Sequence, residues 1–411
     1  VEPEVVIVGA GAAGIAAARR LQQRGRDILL VEAMRRVGGR AHTETVQHLP
    51  LDLGCGWLHS AERNPLADFA RAQGTVIDRS SAAWRNQLRN LGFSTADQRA
   101  AERAYEEFEQ RLHSEAADDC AGNAIARDHP WRPYLDMISG ALNGAELDRV
   151  SARDLLAYDD SASELNWRLP GGYGTLIAGA AAALPLRLGT KVTAIDDSGP
   201  RVAIDTDKGR IKADAAIVAV PTDVLARGDI AFTPTLDDHV HAAACLPLGR
   251  VDKLFLAIER PEAIPPETHL LGDPRNARTG SYYLRPFGWP VIECFFGGIA
   301  ARAMEEAGDA GRVAFAIEEL GTLLGRDFAA GLHPIAGSWW HREPTIGGAY
   351  SHALPGHASK RAILAAPAGE RLHFAGEACS RHDFSTAHGA WQSGIDAADR
   401  VEALLNTSPS P

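Results

Sequence analysis

"VVIVGAGAAGIAAARRL", residues 5–21, decides the fold. Four apolar, β-favouring residues, Val5 to Val8, run into Gly9, Gly11 and Gly14, and an Ala-rich stretch of helical composition continues to Leu21. Strand, glycine turn and helix in that order are the context of a dinucleotide-binding fingerprint. Gly9 serves the sharp turn, Gly11 with Ala12 and Ala13 brings backbone close to a pyrophosphate, and Gly14 lets helix and strand pack tightly. The helix N-terminus then offers free N–H groups and its positive dipole end to the phosphates. The bare pattern is weak, because Gly is 40 of 411 residues and three fixed glycines recur by chance about 0.4 times in such a chain. Position makes it specific. A second strand, "DILLVEA" (27–33), follows at βαβ distance and carries Glu32 and Ala33 at its end. Glu32 can accept both hydroxyls of an adenosine ribose, and its charge disfavours a 2′-phosphate. A glycine-rich turn in another kind of α/β domain is the competing reading.

The length of 411 residues predicts two domains or lobes. Hydrophobic content of 45% with 23% charge is ordinary globular composition. No apolar run approaches a membrane span, and no positively charged, apolar leader is present. The chain starts at Val1 rather than Met, so localisation stays open, with a soluble, cytoplasmic protein favoured. A net charge of −11 argues against nucleic acid as a partner and is compatible with cationic substrates. Cys55, Cys120, Cys245, Cys294 and Cys379 are odd in number and far apart, without CxxC spacing. Metal sites and a disulfide framework are both disfavoured, and buried free thiols are expected.

Along the chain, "RRVGGRAHT" (35–43) and "LDLGCGWLH" (51–59) follow Glu32, and residues 94–118 read as a capped, charged helix. Residues 188–221 read as consecutive strands. Further strand-like segments, "VDKLFLAIE", "SYYL" and "VIECFF", lie within 246–300, and a helical pattern returns near 309–325. A short strand, "RLHFAGEACS" (371–380), precedes a final helix in "STAHGAWQSGIDAADRVEALL". The predicted fold class is α/β: a Rossmann-like FAD-binding domain of glutathione-reductase type assembled from three segments, plus an α+β substrate-binding domain. The expected boundaries are 1–65, 180–245 and 365–405 for the first domain, 66–179 and 246–364 for the second, and 406–411 as a tail. A dinucleotide grip built from three pieces suits a tightly held cofactor. No second glycine fingerprint serves a separate nicotinamide nucleotide, which favours a flavin over exchangeable NAD.

These residues resemble the flavin-containing amine oxidases, a family that includes monoamine oxidases, polyamine and spermine oxidases and flavin-dependent histone lysine demethylases. The resemblance runs almost end to end, through "EAMRRVGGRAHT", "LDLGCGWLH…NPL", "LPGGYGTL", "KVTAID", "AAIVAVPTDVL", "VDKLFL", "WWHREPTIGGAYSHALPG" and "FAGEACS…STAHGAWQSGIDAA". It implies that Arg36, Gly38, Gly39 and Arg40 serve the diphosphate. Gly54 and Gly56 would slide along the flat ring with Trp57 beside it, and Val192 would present backbone groups to adenine. Gly376 and Glu377 would meet the ribityl–phosphate end, and the turn His388–Gly389–Ala390 would face the N1/O2 edge of the flavin with its N–H groups. Lys253 would hold a water against flavin N5; its competing reading is an outward-facing lysine on an alternating strand.

In the monoamine oxidases two tyrosines steer the amine. Tyr350 matches the first, while Thr386 stands at the second position, as in spermine oxidases and the demethylases. Ala349 occupies the place of the cysteine bonded to flavin in monoamine oxidases, so FAD is expected to be noncovalent. Trp340 would flank the ring, and His59 stands where polyamine oxidases have a histidine near the substrate amine. Each aromatic could equally be plain core, and His59 a satisfied polar group. Asp159, Asp160 and Glu164 either read a distal ammonium or are solvated loop charges.

The implied reaction oxidises an amine C–N bond to an imine, which is hydrolysed to an aldehyde or ketone plus ammonia or a smaller amine, with O2 as acceptor and hydrogen peroxide as product. The implied partners are a small-molecule amine and O2, for a monomer or homodimer. The polyamine-oxidase branch leads on Thr386, His388 and the acidic balance. An L-amino-acid oxidase is the nearest rival and requires an arginine for the carboxylate, for which Arg285 has no motif support. A phytoene-type desaturase or protoporphyrinogen oxidase would want a greasy channel, and a catalytically silent flavoprotein is the rival from another class.

Overall fold

Val5–Val8 forms the centre of a five-stranded parallel sheet in the computed structural model, which describes residues 2–114 and 119–407. The strand order is Leu372–Phe374, Ala215–Val218, Val5–Val8, Ile28–Val31 and Leu186–Arg187. Strands covered on both faces read as unbroken apolar runs rather than alternating ones, and Val5, Val6 and Ile7 are wholly buried. The strands come from separated stretches of the chain.

The Ala12–Gln23 helix follows the glycine turn and buries Ala12, Ala13, Ile15, Ala16, Ala17, Ala18 and Leu21. A Cβ on Gly14 would stand 1.8 Å from the Gly9 carbonyl oxygen, so helix and strand meet backbone to backbone. On its other side the same helix meets the Ala387–Thr407 helix, where a Cβ on Gly394 would lie 2.0 Å from the Ala13 oxygen. The two ends of the chain therefore close on one another through small residues.

The strand run 188–221 divides between two sheets. Val192–Asp196, Val202–Thr206 and Gly209–Ala213 join Ala231–Thr233 in a four-stranded sheet, whereas Ala215–Val218 enters the parallel sheet. A third, antiparallel sheet runs Thr268–Leu271, Ser281–Leu284, Val291–Gly297, Val251–Ile258 and Leu332–Gly337. Its first and last strands were not apparent from the sequence, because each mixes His or Pro with few β-branched residues.

Thr95–Ser114 is a helix with Ala101, Ala104, Phe108 and Leu112 inward, and residues 115–118 of the expected helix lie outside the described residues. The later helix is longer than its sequence pattern, Ile299–Leu324 rather than 309–325. Gly308, at φ 72°, breaks it, and regular periodicity is legible only beyond that break. Among the described residues Cys245, Cys294 and Cys379 are buried, while Cys55 and Cys120 are half-buried.

Candidate active site

At the carboxyl ends of the parallel strands the glycine segments converge. Gly38 N donates to Ala10 O at 2.8 Å, Gly11 and Gly38 form a bridge, and a Cβ on Gly39 would stand 3.3 Å from Gly11 Cα. Glu32 is buried and accepts from Ala10 N at 2.7 Å and Met34 N at 2.8 Å, while burial pushes its carboxyl up. Thr190 N donates to Glu32 O and Gly189 N to Met34 O, both at 2.8 Å, which brings the segment leading to Val192 beside Glu32 and Ala33. Arg36 donates to Gly39 O at 2.8 Å. The Ala12–Gln23 helix has no side-chain cap and no acidic residue in its first turn. The space beyond Gly11 is open, with nothing within 4 Å of where a Cβ would project. Unpaired N–H groups facing open space fit an anionic diphosphate.

A second cleft adjoins this turn and is lined by Arg40, Val220, Thr222, Leu225, Gly376 and Glu377, among others. Gly376 also faces open space, and the buried Thr222 Oγ1 has no hydrogen-bond partner. Glu377 is a buried hub: it pairs with Arg40 at 2.9 Å and accepts from Ser351 N, Ser351 Oγ and Ser385 N at 3.0, 2.7 and 2.9 Å. Burial alone would raise its carboxyl, but the Arg40 and Arg361 guanidiniums and these donors outweigh it and hold the group below the usual range. Arg40 also donates to Ala349 O, which ties the "VGGR" segment to the residue before Tyr350.

Lys253 lies on Val251–Ile258, buried among apolar neighbours. It is not a lone cation. Nζ donates to Asp52 O at 3.0 Å and pairs with Glu293 Oε1 at 2.8 Å, and a Cβ on Gly56 would come within 3.4 Å of it. Glu293 reaches it diagonally, since Lys253 is opposite Phe295 and Phe255 opposite Glu293 on the neighbouring strand. Asp52 presents its carboxylate to Thr43 Oγ1 at 2.6 Å and to the N–H groups of Tyr173 and Gly174, the first turn of the Tyr173–Gly179 helix. Trp340 packs on Gly54, whose Cβ would be 3.3 Å from the indole, and its Nε1 donates to Leu53 O at 3.3 Å. The pocket around Lys253 is lined by Asp52, Gly56, Trp57, Arg168, Tyr283 and Glu293, with Phe287 and Trp289 completing its wall.

Tyr350, Thr386 and His59 do not line that pocket. The Tyr350 hydroxyl donates to Ala141 O on the Arg132–Asn143 helix. Thr386 caps the final helix: its Oγ1 accepts from Gly389 N at 3.0 Å and donates to Asp383 O at 2.6 Å. A Cβ on Gly389 would sit 1.8 Å from Asp383 O, and Ala390 N donates to Thr386 O at 3.1 Å, so residues 386–390 form one tight N-terminal turn. His59 Nδ1 meets Asn166 Oδ1 at 2.7 Å, and its ring approaches Trp84, which in turn packs on Trp57 at 4.4 Å. His388 pairs with Asp383 at 3.1 Å. Asp159 and Asp160 lie at the end of Ala152–Asp159 with exposed side chains, and burial with the neighbouring Glu109 and Asp160 charges pushes the Asp159 carboxyl up to about 6. Sequence reasoning missed Glu293, Arg168, Asp52 and Tyr283; none belongs to a spacing pattern, and only strand register and chain crossings bring them together.

Among the described residues one cluster has the composition of a metal site, Asp252, Glu305 and His341. Arg250, Arg302 and Arg342 act on Glu305, and Arg312 acts on Asp252, so guanidinium groups already supply the positive charge there.

Burial pushes His59, His269 and His373 down to about 4 and His352 to about 3. Unfolded histidines titrate near about 6.5, so below that pH the unfolded chain binds protons that the folded chain refuses. Stability is therefore expected to fall as pH drops from about 6.5 to about 4, by several kcal/mol in all. Urea midpoints at pH 7.5 and 5 check this, and equal midpoints would contradict it.

The class is defined by comparison as well as by geometry. Residues 12–402 match the family described as flavin containing amine oxidoreductase, and the chain belongs to that family. It is similar to polyamine oxidase 3 of Oryza sativa subsp. japonica, with 30% identity over 97% of this chain and 88% of that one. It is similar to polyamine oxidase 2 of Arabidopsis thaliana, with 29% identity over 97% and 87%. The solved structure of putrescine oxidase bound to putrescine shares the fold, with a TM-score of 0.81 and 20% identity over 98% of this chain and 99% of that one. The protein is a flavin-dependent amine oxidase, and its substrate is a small-molecule amine. Among the described residues no helix is long and apolar enough to cross a membrane.

Proposed function

We propose that the chain is a polyamine-class oxidase holding FAD noncovalently, with residues 1–65, 180–245 and 365–405 as its FAD-binding domain and 66–179 and 246–364 as its substrate domain. The observation that carries this reading is Lys253: a buried ammonium with two of its three donors engaged, by Asp52 O and Glu293, in a pocket walled by Gly56 and Trp57. The third donor is left for a water at the cofactor. Gly9, Gly11, Ala12, Ala13 and Gly14 would take the diphosphate with Arg36, Gly38, Gly39 and Arg40, and Glu32 with Ala33 the adenosine ribose. Val192 would meet adenine. Gly54, Gly56, Trp57 and Trp340 would flank the ring, and Gly376, Glu377, Gly389 and Ala390 its ribityl side and N1/O2 edge.

The bound flavin supplies a two-electron acceptor for the amine's α-carbon–hydrogen bond, with O2 taking the electrons on to peroxide. Lys253, fixed by Asp52 O and Glu293, would hold a water at that face with its third N–H. His59 is neutral at pH 7; with Nδ1–H turned to Asn166 Oδ1, its Nε2 would accept a hydrogen bond from an amine N–H. Tyr350 and Thr386 would border the amine's approach, and the protein would act as a soluble monomer or homodimer.

Two observations weigh against the amino-acid reading. Arg285 spends its guanidinium on Ile264 O and Gly288 O, and Arg168, which does line the pocket, is paired with Asp78 and Glu267. The test is oxygen uptake with peroxide release on addition of amines; amine-independent uptake alone would overturn the reading. Because Ala349 offers no thiol, acid precipitation is expected to leave FAD in the supernatant, and flavin retained in the pellet would contradict noncovalent binding.

A further inference from the structure

Arg168 is 5% exposed and sits in a box whose walls belong to the Lys253 pocket. Its guanidinium carbon lies 4.9 Å from the Trp57 ring centroid, 5.1 Å from Tyr283 and 4.3 Å from Phe287. Nη2 donates to Asp78 Oδ2 at 2.6 Å and Glu267 Oε2 at 2.7 Å, and Tyr283 Oη donates to the same Glu267 oxygen at 2.6 Å. Its backbone is pinned as well: Arg168 N donates to Asp78 O and Asp78 N to Arg168 O. Phe287 is held at φ 56°, a costly conformation for a bulky residue, and its N–H donates to Glu267. Three aromatic faces with two carboxylates are the surroundings that bind an alkylammonium or guanidinium, and one guanidinium does not balance two carboxylates.

We propose that Arg168 is a specificity-determining residue: its guanidinium fills from within the chain an aromatic, acidic box that would otherwise take the far cationic end of a diamine. This rests on the amine-oxidase reading of the Lys253 pocket. The resident cation shortens the amine the pocket accepts, and truncating it exposes the box to a second cation of the substrate.

The flavin-loaded Arg168→Ala variant tests this in two ways. Low-millimolar guanidinium chloride, against sodium chloride at equal ionic strength, is expected to raise the Tm of the variant and not of the wild type. The ratio of kcat/KM for 1,8-diaminooctane over 1,4-diaminobutane is expected to rise about tenfold in the variant. Equal Tm responses in the two proteins, or an unchanged ratio, would overturn the proposal. Should the alanine variant not fold, Arg168→Lys keeps a cation for Asp78 and Glu267 while filling less of the box. Its ratio is expected to rise about threefold, and no rise would overturn the proposal. If neither protein oxidises any diamine, the polyamine-class reading fails, while the guanidinium-dependent Tm still decides whether the box takes a cation.

Discussion

Replacing Lys253 by methionine is expected to slow amine turnover by about 10²–10³-fold while leaving the flavin bound. Methionine keeps the apolar stem that packs on Val251–Ile258 but removes every donor at the site. Two of those donors hold Asp52 O and Glu293, so the loss also frees the water-facing geometry that they fix. The groups that would retain the cofactor lie elsewhere, at the glycine turn and at the Arg40–Glu377 hub, so flavin content should be unchanged. Glu293 is 21% exposed and can hydrate once unpaired, so the fold should survive. Stopped-flow reduction and reoxidation of the variant, with its flavin-to-protein ratio, check this. Unchanged turnover would remove Lys253 from the mechanism, and lost flavin would reassign it to binding.

Arg361→Met is expected to destabilise the protein by about 3–5 kcal/mol. Arg361 is 2% exposed and forms a two-pronged pair with Asp154 at 2.6 and 2.7 Å, with further bonds to Ser351 Oγ at 3.0 Å and Ala378 O at 3.3 Å, over the face of Phe384. Removing it strands Asp154, itself 2% exposed, without its counter-charge. Replacing both partners, as Arg361→Met with Asp154→Leu, should recover much of the loss, because the cost lies in the stranded charge more than in the missing contact. Ser351 also serves Glu377, so the single variant should release flavin more readily. Denaturant midpoints of the wild type and the two variants decide the matter; a double variant no more stable than the single would contradict it.

The parallel sheet and its glycine turn were legible because their signals are local: Val5 to Val8, three glycines and Glu32 fall within one βαβ unit. Lys253 was legible through its strand and the family resemblance, but its partner was not. Glu293 reads as the polar position of an ordinary strand, and only the antiparallel register carries it to Nζ. Arg168 stands inside "NWRLPGGYG", where the glycines draw the eye, and its meeting with Asp78, Glu267 and three rings depends on four separate stretches of chain. Arg361 and Asp154 are 207 residues apart, beyond any spacing argument. Thr386 shows the opposite case. Family comparison drew attention to the tyrosine it replaces, whereas a threonine directly before a helix already carries the signature of the cap that it forms.

Amine-driven reduction of the bound flavin at the Lys253 pocket is the step on which the proposed function stands. Anaerobic bleaching of the flavin tests it most directly, with spermine, spermidine, their acetylated forms, putrescine, benzylamine, tyramine and several L-amino acids as donors. Rapid bleaching by the polyamines or diamines, with arylalkylamines and amino acids slow, is the expected result. A flavin that stays oxidised with every amine, or that is bleached only by amino acids, would rule out polyamine oxidation at this site.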